Sequence, residues 1–168
     1  EPVGRDRGRT IAESRTAMQG RPTPSSAQAD PRTLTLHAQT SAAVRALLAA
    51  GHAADDIAVV CWHGLASSRI AGADEIAGLR TRRFTGRSDP EGRPRFTDGT
   101  LQLETLFRFK GQAADCVVIT EIDFDDWTDD VRRRLFVALT RARLKVALVA
   151  SARAARAIEG RLGGQPPA

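Results

Sequence analysis

Two clusters in this chain have the residue types and spacing that phosphate chemistry needs. The first is Thr105-Leu106-Phe107-Arg108-Phe109-Lys110-Gly111-Gln112, a basic turn leading into the apolar run Cys116-Val117-Val118-Ile119-Thr120. The second is Phe136-Val137-Ala138-Leu139-Thr140-Arg141-Ala142-Arg143, in which arginines close a helical apolar pattern. A lysine beside a glycine brings a cation and an unhindered backbone to a phosphate, and a guanidinium fork matches phosphate oxygens in a bidentate way. Lys110 and Lys145 are the only lysines, and they are followed by Gly111 and Val146. A Walker A loop requires glycine, then Lys followed by Ser or Thr, to cradle a nucleotide's phosphates. This chain therefore has no phosphate-binding loop.

The remaining chemical groups point less sharply. The acidic run Glu121-Ile122-Asp123-Phe124-Asp125-Asp126-Trp127-Thr128-Asp129-Asp130 has oxygen ligands for a divalent cation. Carboxylates also gather at helix starts, where the dipole favours them, and we read this run as solvated and helix-capping. His37, His52 and His63 show no metal-ligand spacing with each other or with the cysteines, and no Ser-His-Asp order emerges. No metal ligands are assigned. Cys61 and Cys116 sit in strand-like apolar runs and read as buried, unbridged thiols.

The elements that must hold these residues follow from periodicity. Residues 1–31 are rich in Arg, Gly, Pro, Ser and Thr and read as a flexible connector, with a short helix around Ile11 to Met18. The domain proper is expected over 32–163, with a short tail at 164–168. Thr33-Leu34-Thr35-Leu36-His37 alternates like a strand, and Ser41 to Ala50 puts Val44, Leu47 and Leu48 on one helical face closed by Gly51. Asp55 to Trp62 leads into a continuous apolar strand, completing a first βαβ unit. Short strands are expected at Arg82–Thr85 and Arg95–Thr97, flanking a polar loop, and further strands at Leu101–Thr105 and Cys116–Thr120. Thr128 is expected to cap a helix running to about Ala142, with Val131, Leu135 and Leu139 inward. Lys145–Ala150 reads as the closing strand and Ala152–Leu162 as the final helix. Strands alternating with helices predict an α/β fold with an open, mostly parallel sheet flanked by helices.

Composition limits the alternatives. A chain of 168 residues, 42% hydrophobic, accommodates one α/β domain. No segment approaches the about 18 uninterrupted apolar residues of a membrane span, and the N-terminus lacks a secretory pattern. A soluble, cytoplasmic protein without a membrane partner is expected. The net charge of +5 comes from arginine; it suits a nucleic-acid backbone, and equally a codon preference for arginine.

In order and spacing, the two clusters resemble motifs V and VI in the C-terminal motor domain of superfamily 1 helicases of the UvrD and Rep kind. The stretch Asp55 to Ser68, trailing into Ser67-Ser68-Arg69, is similar to the part preceding motif V, so the resemblance covers about Thr33 to Ser151. It implies a RecA-like fold of the P-loop NTPase type, without its own P-loop. It also implies that Arg141 is an arginine finger for the γ-phosphate of ATP bound by an N-terminal RecA-like lobe, which supplies Mg²⁺ and is expected upstream of Glu1. Lys110, Gly111, Gln112 and Thr140 are then placed near the nucleotide, and Thr105 and Arg108 on the phosphates of single-stranded DNA or RNA. Arg143 is expected to be a solvated or sheet-edge residue. The chain departs from the family pattern at Phe107, where histidine is frequent, and at Gln112-Ala113, where Leu-Glu is usual. The Asn-Tyr-Arg-Ser-like element is absent. The rival readings are a stand-alone basic nucleic-acid-binding module with a degenerate helicase fold, and a metal-dependent hydrolase using the acidic run.

Overall fold

A computed structural model describes residues Asp30 to Leu162; the expected helix at Ile11–Met18 and tail at 164–168 lie outside them. The first element is helix α1, Pro31–Ala49. It overturns the expected strand at Thr33–His37, and with it the first βαβ unit. Asp30 caps the helix by accepting from Arg32 N at 3.1 Å, and Pro31 occupies the first turn, where its missing N–H is not needed. The β-branched threonines that imitate a strand instead bond back into the helix: Thr35 Oγ1 donates to Pro31 O (2.9 Å) and Thr40 Oγ1 to Leu36 O (2.8 Å). Gly51 follows the cap in the left-handed region at φ +91°, as expected of a helix-closing glycine.

The strands are β1 (Ile57–Cys61), β2 (Glu75–Ile76), β3 (Leu79–Ser88), β4 (Pro94–Phe96), β5 (Leu101–Thr105), β6 (Ala114–Ile122) and β7 (Ala142–Ala150). Helices α2 (Asp129–Leu139) and α3 (Ala152–Leu162) complete the described fold. The sheet runs in the order β2-β3-β5-β1-β6-β7, with β4 on β3. Strands β3, β5, β1, β6 and β7 are parallel; β2 and β4 pair antiparallel with β3. The fold is thus a mixed α/β domain with a mostly parallel sheet flanked by three helices, consistent with the RecA-like class.

Alternation in β1 explains why its sequence is apolar throughout. Ile57, Val59 and Cys61 face α1, where Val44 and Leu47 are buried; Ala58 and Val60 face the layer of α2 and α3. Both faces are covered, so no polar position remains. Helix α2 begins at the expected cap, with Thr128 Oγ1 accepting from Val131 N at 3.3 Å, but it stops at Leu139 rather than Ala142. Residues from Ala142 join β7, which pairs with β6 from Ala114 onward, so sheet pairing overrides local helical propensity. The inward face of α2 is Val131, Leu135 and Ala138; Leu139 rotates outward and is exposed. Both cysteines are free and buried, and burial pushes the Cys61 thiol up to about 12. Among the described residues no helix is long and apolar enough to cross a membrane.

Gly99 stands against the backbone of β3, where an added Cβ would lie 2.5 Å from Arg80 O. Gly99→Ala is therefore expected to destabilise the fold by about 1–3 kcal/mol through overpacking. Gly160, helical with open space around it, should accept alanine with a gain of up to about 1 kcal/mol. Urea denaturation of the two variants beside the parent checks both signs.

Candidate nucleotide and nucleic-acid site

Strands β5 and β6 both run parallel to β1, so the chain must travel back along the sheet between Thr105 and Ala114. Residues 106–113 make that crossing without a helix. Leu106 N donates to Cys61 O (2.9 Å), Phe109 N to Thr105 O (2.9 Å) and Gln112 N to Phe109 O (3.0 Å), which gives a run of tight turns. Leu106 and Phe109 anchor the crossing in the core beneath α2. Gly111 takes φ +83° with nothing within 4 Å of where a Cβ would be, so the loop turns there with open space beside it.

The crossing ends beside the second cluster. Ala114 N donates to Arg141 O at 3.1 Å, and Ala114 pairs with Ala142 in the β6–β7 ladder. The crossing thus ends at the starting edge of β6 and β7, where Thr140 and Arg141 stand, whereas Lys110 lines a groove with Trp62 and His63, just past the opposite end of β1. Thr140 caps α2, donating its hydroxyl to Phe136 O (2.9 Å). Arg141, half-buried, stands in the turn after the helix rather than on it. Its Nε donates to Val137 O (3.1 Å), and its terminal guanidinium nitrogens have no partner among the described residues. Lys110 is exposed, and no carboxylate lies within 4.0 Å of it among the described residues. Gln112 is less free: it donates to Arg108 O (3.0 Å) and accepts from Gln102 Nε2 (2.9 Å). Arg143 lies on edge strand β7 and pairs with Asp115 at 3.3 Å.

Thr105 and Arg108 sit toward the other end of the crossing. Thr105 is 2% exposed, and its hydroxyl accepts from Arg108 N at 3.4 Å. The Arg108 guanidinium is held between Glu104 (Nε to Oε2, 3.2 Å) and the Phe84 ring, 3.7 Å from its centroid. Burial raises the Glu104 carboxyl above its ordinary range, and Arg108 pulls it back down.

Other neighbours were not legible in the sequence. Trp62, Leu106, Phe107, Lys110, Arg133 and Val137 line a groove of about 340 Å³ between the crossing and α2. Arg134 donates to Trp62 O (2.6 Å) and stacks 4.3 Å over its indole, fastening α2 to the end of β1. The acidic run is divided among partners. Glu121, read as solvated, is instead buried at φ +64° and accepts from Ser68 Oγ and Arg69 N. Asp123 accepts from Ser151 Oγ (2.7 Å) and pairs with Arg153 (3.1 Å); these contacts, the Ser151 bond foremost, lower its carboxyl. Among the described residues no three His, Cys, Asp or Glu side chains converge as a metal site.

The fold is a mostly parallel α/β domain consistent with the RecA-like class, and the sequence has no phosphate-binding loop. Residues 101–149, from β5 through most of β7, match the UvrD-like helicase C-terminal domain family. That match falls on the segment that carries the resemblance to motifs V and VI. No curated protein matches the chain.

Glu104 gives the site a pH signature. Its folded carboxyl titrates above its unfolded value, so its protonated form favours the fold and the advantage is lost as pH rises through the folded value. Arg108→Ala removes the group that offsets this. The variant should therefore lose more stability at neutral pH than below about pH 4, where Glu104 is protonated in both states. Urea titrations at the two pH values measure the difference.

Proposed function

We propose that this chain is the C-terminal motor lobe of an ATP-dependent superfamily 1 helicase or translocase. It completes the ATP site of an N-terminal RecA-like lobe and contacts single-stranded nucleic acid. The observation that carries the reading is the Ala114–Arg141 backbone bond, which joins the end of the 106–113 crossing to the Thr140–Arg141 turn. Held there by its Nε, Arg141 keeps its terminal nitrogens for an incoming phosphate. Such a fork stabilises the charge of a transferring phosphoryl group, and it needs a nucleotide held by another lobe because this chain has no Walker A lysine. ATP would bring the phosphoanhydride to be cleaved, with its Mg²⁺ held by the other lobe. Lys110 is a second exposed cation on the crossing, and Gly111 leaves open space beside the loop. Lobe closure on ATP would then move this domain along the strand.

The placement of Arg108 and Thr105 modifies the expected strand contact. Both hold the crossing together, and the outward groups near them are the Phe107 ring, 84% exposed, and Lys110. A stacking ring beside a cation suits single strands. In this reading Arg108 and Thr105 position the segment that meets the strand, and any phosphate contact is made with Arg108 still seated on Glu104.

The isolated chain should show no ATP turnover, with or without nucleic acid. In the two-lobe protein, Arg141→Ala should reduce nucleic-acid-stimulated kcat by on the order of 10³-fold or more while changing ATP affinity far less. Arg143→Ala, whose guanidinium is already paired to Asp115, should do much less, and Arg141→Lys should rescue only in part because a point charge lacks the fork. Steady-state turnover and nucleotide binding on the three variants test this. Near-parental kcat in Arg141→Ala would remove the arginine from the ATP site.

A further inference from the structure

The hairpin of β3 and β4 lies outside the proposed motor site, yet it is strongly basic. Between Leu79 and Phe96 lie Arg80, Arg82, Arg83, Arg87, Arg93 and Arg95, against only Asp89 and Glu91. Both acids are consumed locally: Asp89 and Glu91 pair with Arg93 in the turn, at 3.0 and 3.3 Å. Arg83 pairs with Asp74. Arg87 and Arg95 are exposed, have no carboxylate within 4.0 Å among the described residues, and line one shallow depression with Arg83 and Thr85.

The hairpin is also an arm. Strand β3 pairs with β5 only over Thr81–Arg83, so beyond Phe84 its sole strand partner is β4. Gly86, at φ +79°, lies where the β3–β4 register shifts, and such bulges twist a ribbon and re-aim its side chains. Phe84 and Phe96 pack edge to face at 6.2 Å, and Thr85 Oγ1 donates to Arg95 O (3.0 Å), which stiffens the arm. Arg108 stacked on Phe84 fastens its base to the crossing that follows β5.

We propose that the Arg87–Arg95 face of this arm is a docking surface for duplex nucleic acid, held by its phosphate backbone. Unpaired guanidinium groups on a stiff ribbon complement a row of phosphates. The arm's rings are taken by each other and by Arg108 and Arg82, which lies 4.9 Å over Phe96. Its exposed groups are therefore mainly cations, with each ring already engaged by an arginine, whereas single-strand surfaces stack unpaired bases on aromatic platforms. A two-stranded ribbon also fits the width of a major groove. The proposal takes the class of partner from the reading above but uses neither Lys110 nor Arg141, so the two can fail separately.

The test is fluorescence anisotropy of the full chain with a labelled DNA duplex of about two helical turns and with one of its strands, between about 50 and 200 mM salt. Arg87→Ala/Arg95→Ala should weaken duplex binding about tenfold and make the log–log salt slope shallower by roughly two, while single-strand binding changes less than about twofold. Arg45→Ala/Arg156→Ala removes the same charge from exposed sites on α1 and α3 and should leave duplex binding near parental. Arg87→Lys/Arg95→Lys, which keeps the charge, should retain most of the affinity. Unchanged duplex affinity in the hairpin variant, an equal loss in the α1/α3 control, or an equal loss on the single strand would each overturn the proposal. Thermal unfolding of every variant excludes loss of fold as the cause.

Discussion

Strand β6 lies between β1 and β7, with its apolar run buried on both faces, and its first residue donates to the carbonyl of Arg141. That ladder sets the geometry of the whole candidate site. Parallel strands cannot be joined by a tight turn, so β6 and its neighbour β7 are each entered by a connection that spans the sheet. One connection is the helix α2, which delivers Thr140 and Arg141 to the start of β7. The other is the segment 106–113, which carries the chain from the end of β5 to the start of β6. Two segments far apart in sequence thereby end side by side because the strands they feed are hydrogen-bonded neighbours.

Arginine serves this domain in two physical states. Arg134 and Arg108 lie flat on aromatic rings and are saturated by a carbonyl or a carboxylate, so they act as struts: one ties α2 to β1, the other ties the hairpin to the crossing. Guanidinium is more weakly hydrated than ammonium and tolerates such half-burial. Arg141, Arg87 and Arg95 have no carboxylate partner among the described residues, so their outer nitrogens are open to phosphates. The same residue type is structural or functional according to whether a ring and an acceptor lie within reach. Composition therefore says little about which arginines bind.

The carboxylates show the same division. Glu104 and Glu121 are buried beside strand ends and hold loops in place, the latter by bonding Ser68 and the Arg69 amide across the sheet top. Asp123 and Asp125 pair with Arg153 at the start of α3. An acidic run that looks like a ligand set in one dimension is spread in space over three separate tasks.

By itself, the sequence determined the features that depend on local pattern. The doubly apolar strands β1 and β6, the Thr128 cap, the helix Ala152–Leu162 and the absence of a Walker A loop were legible because periodicity, capping chemistry and residue identity act over a few neighbours. The Ala-Leu-Thr-Arg-Ala cluster was legible for the same reason. Tertiary structure alone decided the rest. Thr33–His37 alternates like a strand but folds as helix, because Asp30 and Pro31 start α1 and Leu36 packs on the sheet. Helix α2 ends before Arg141 because β7 must pair with β6 from Ala142. Arg108 sits against Phe84, remote in sequence and 3.7 Å from its guanidinium, a contact that no local window shows. Sheet pairing and cation–π contacts join residues that no local window contains, so only the folded chain could assign these roles.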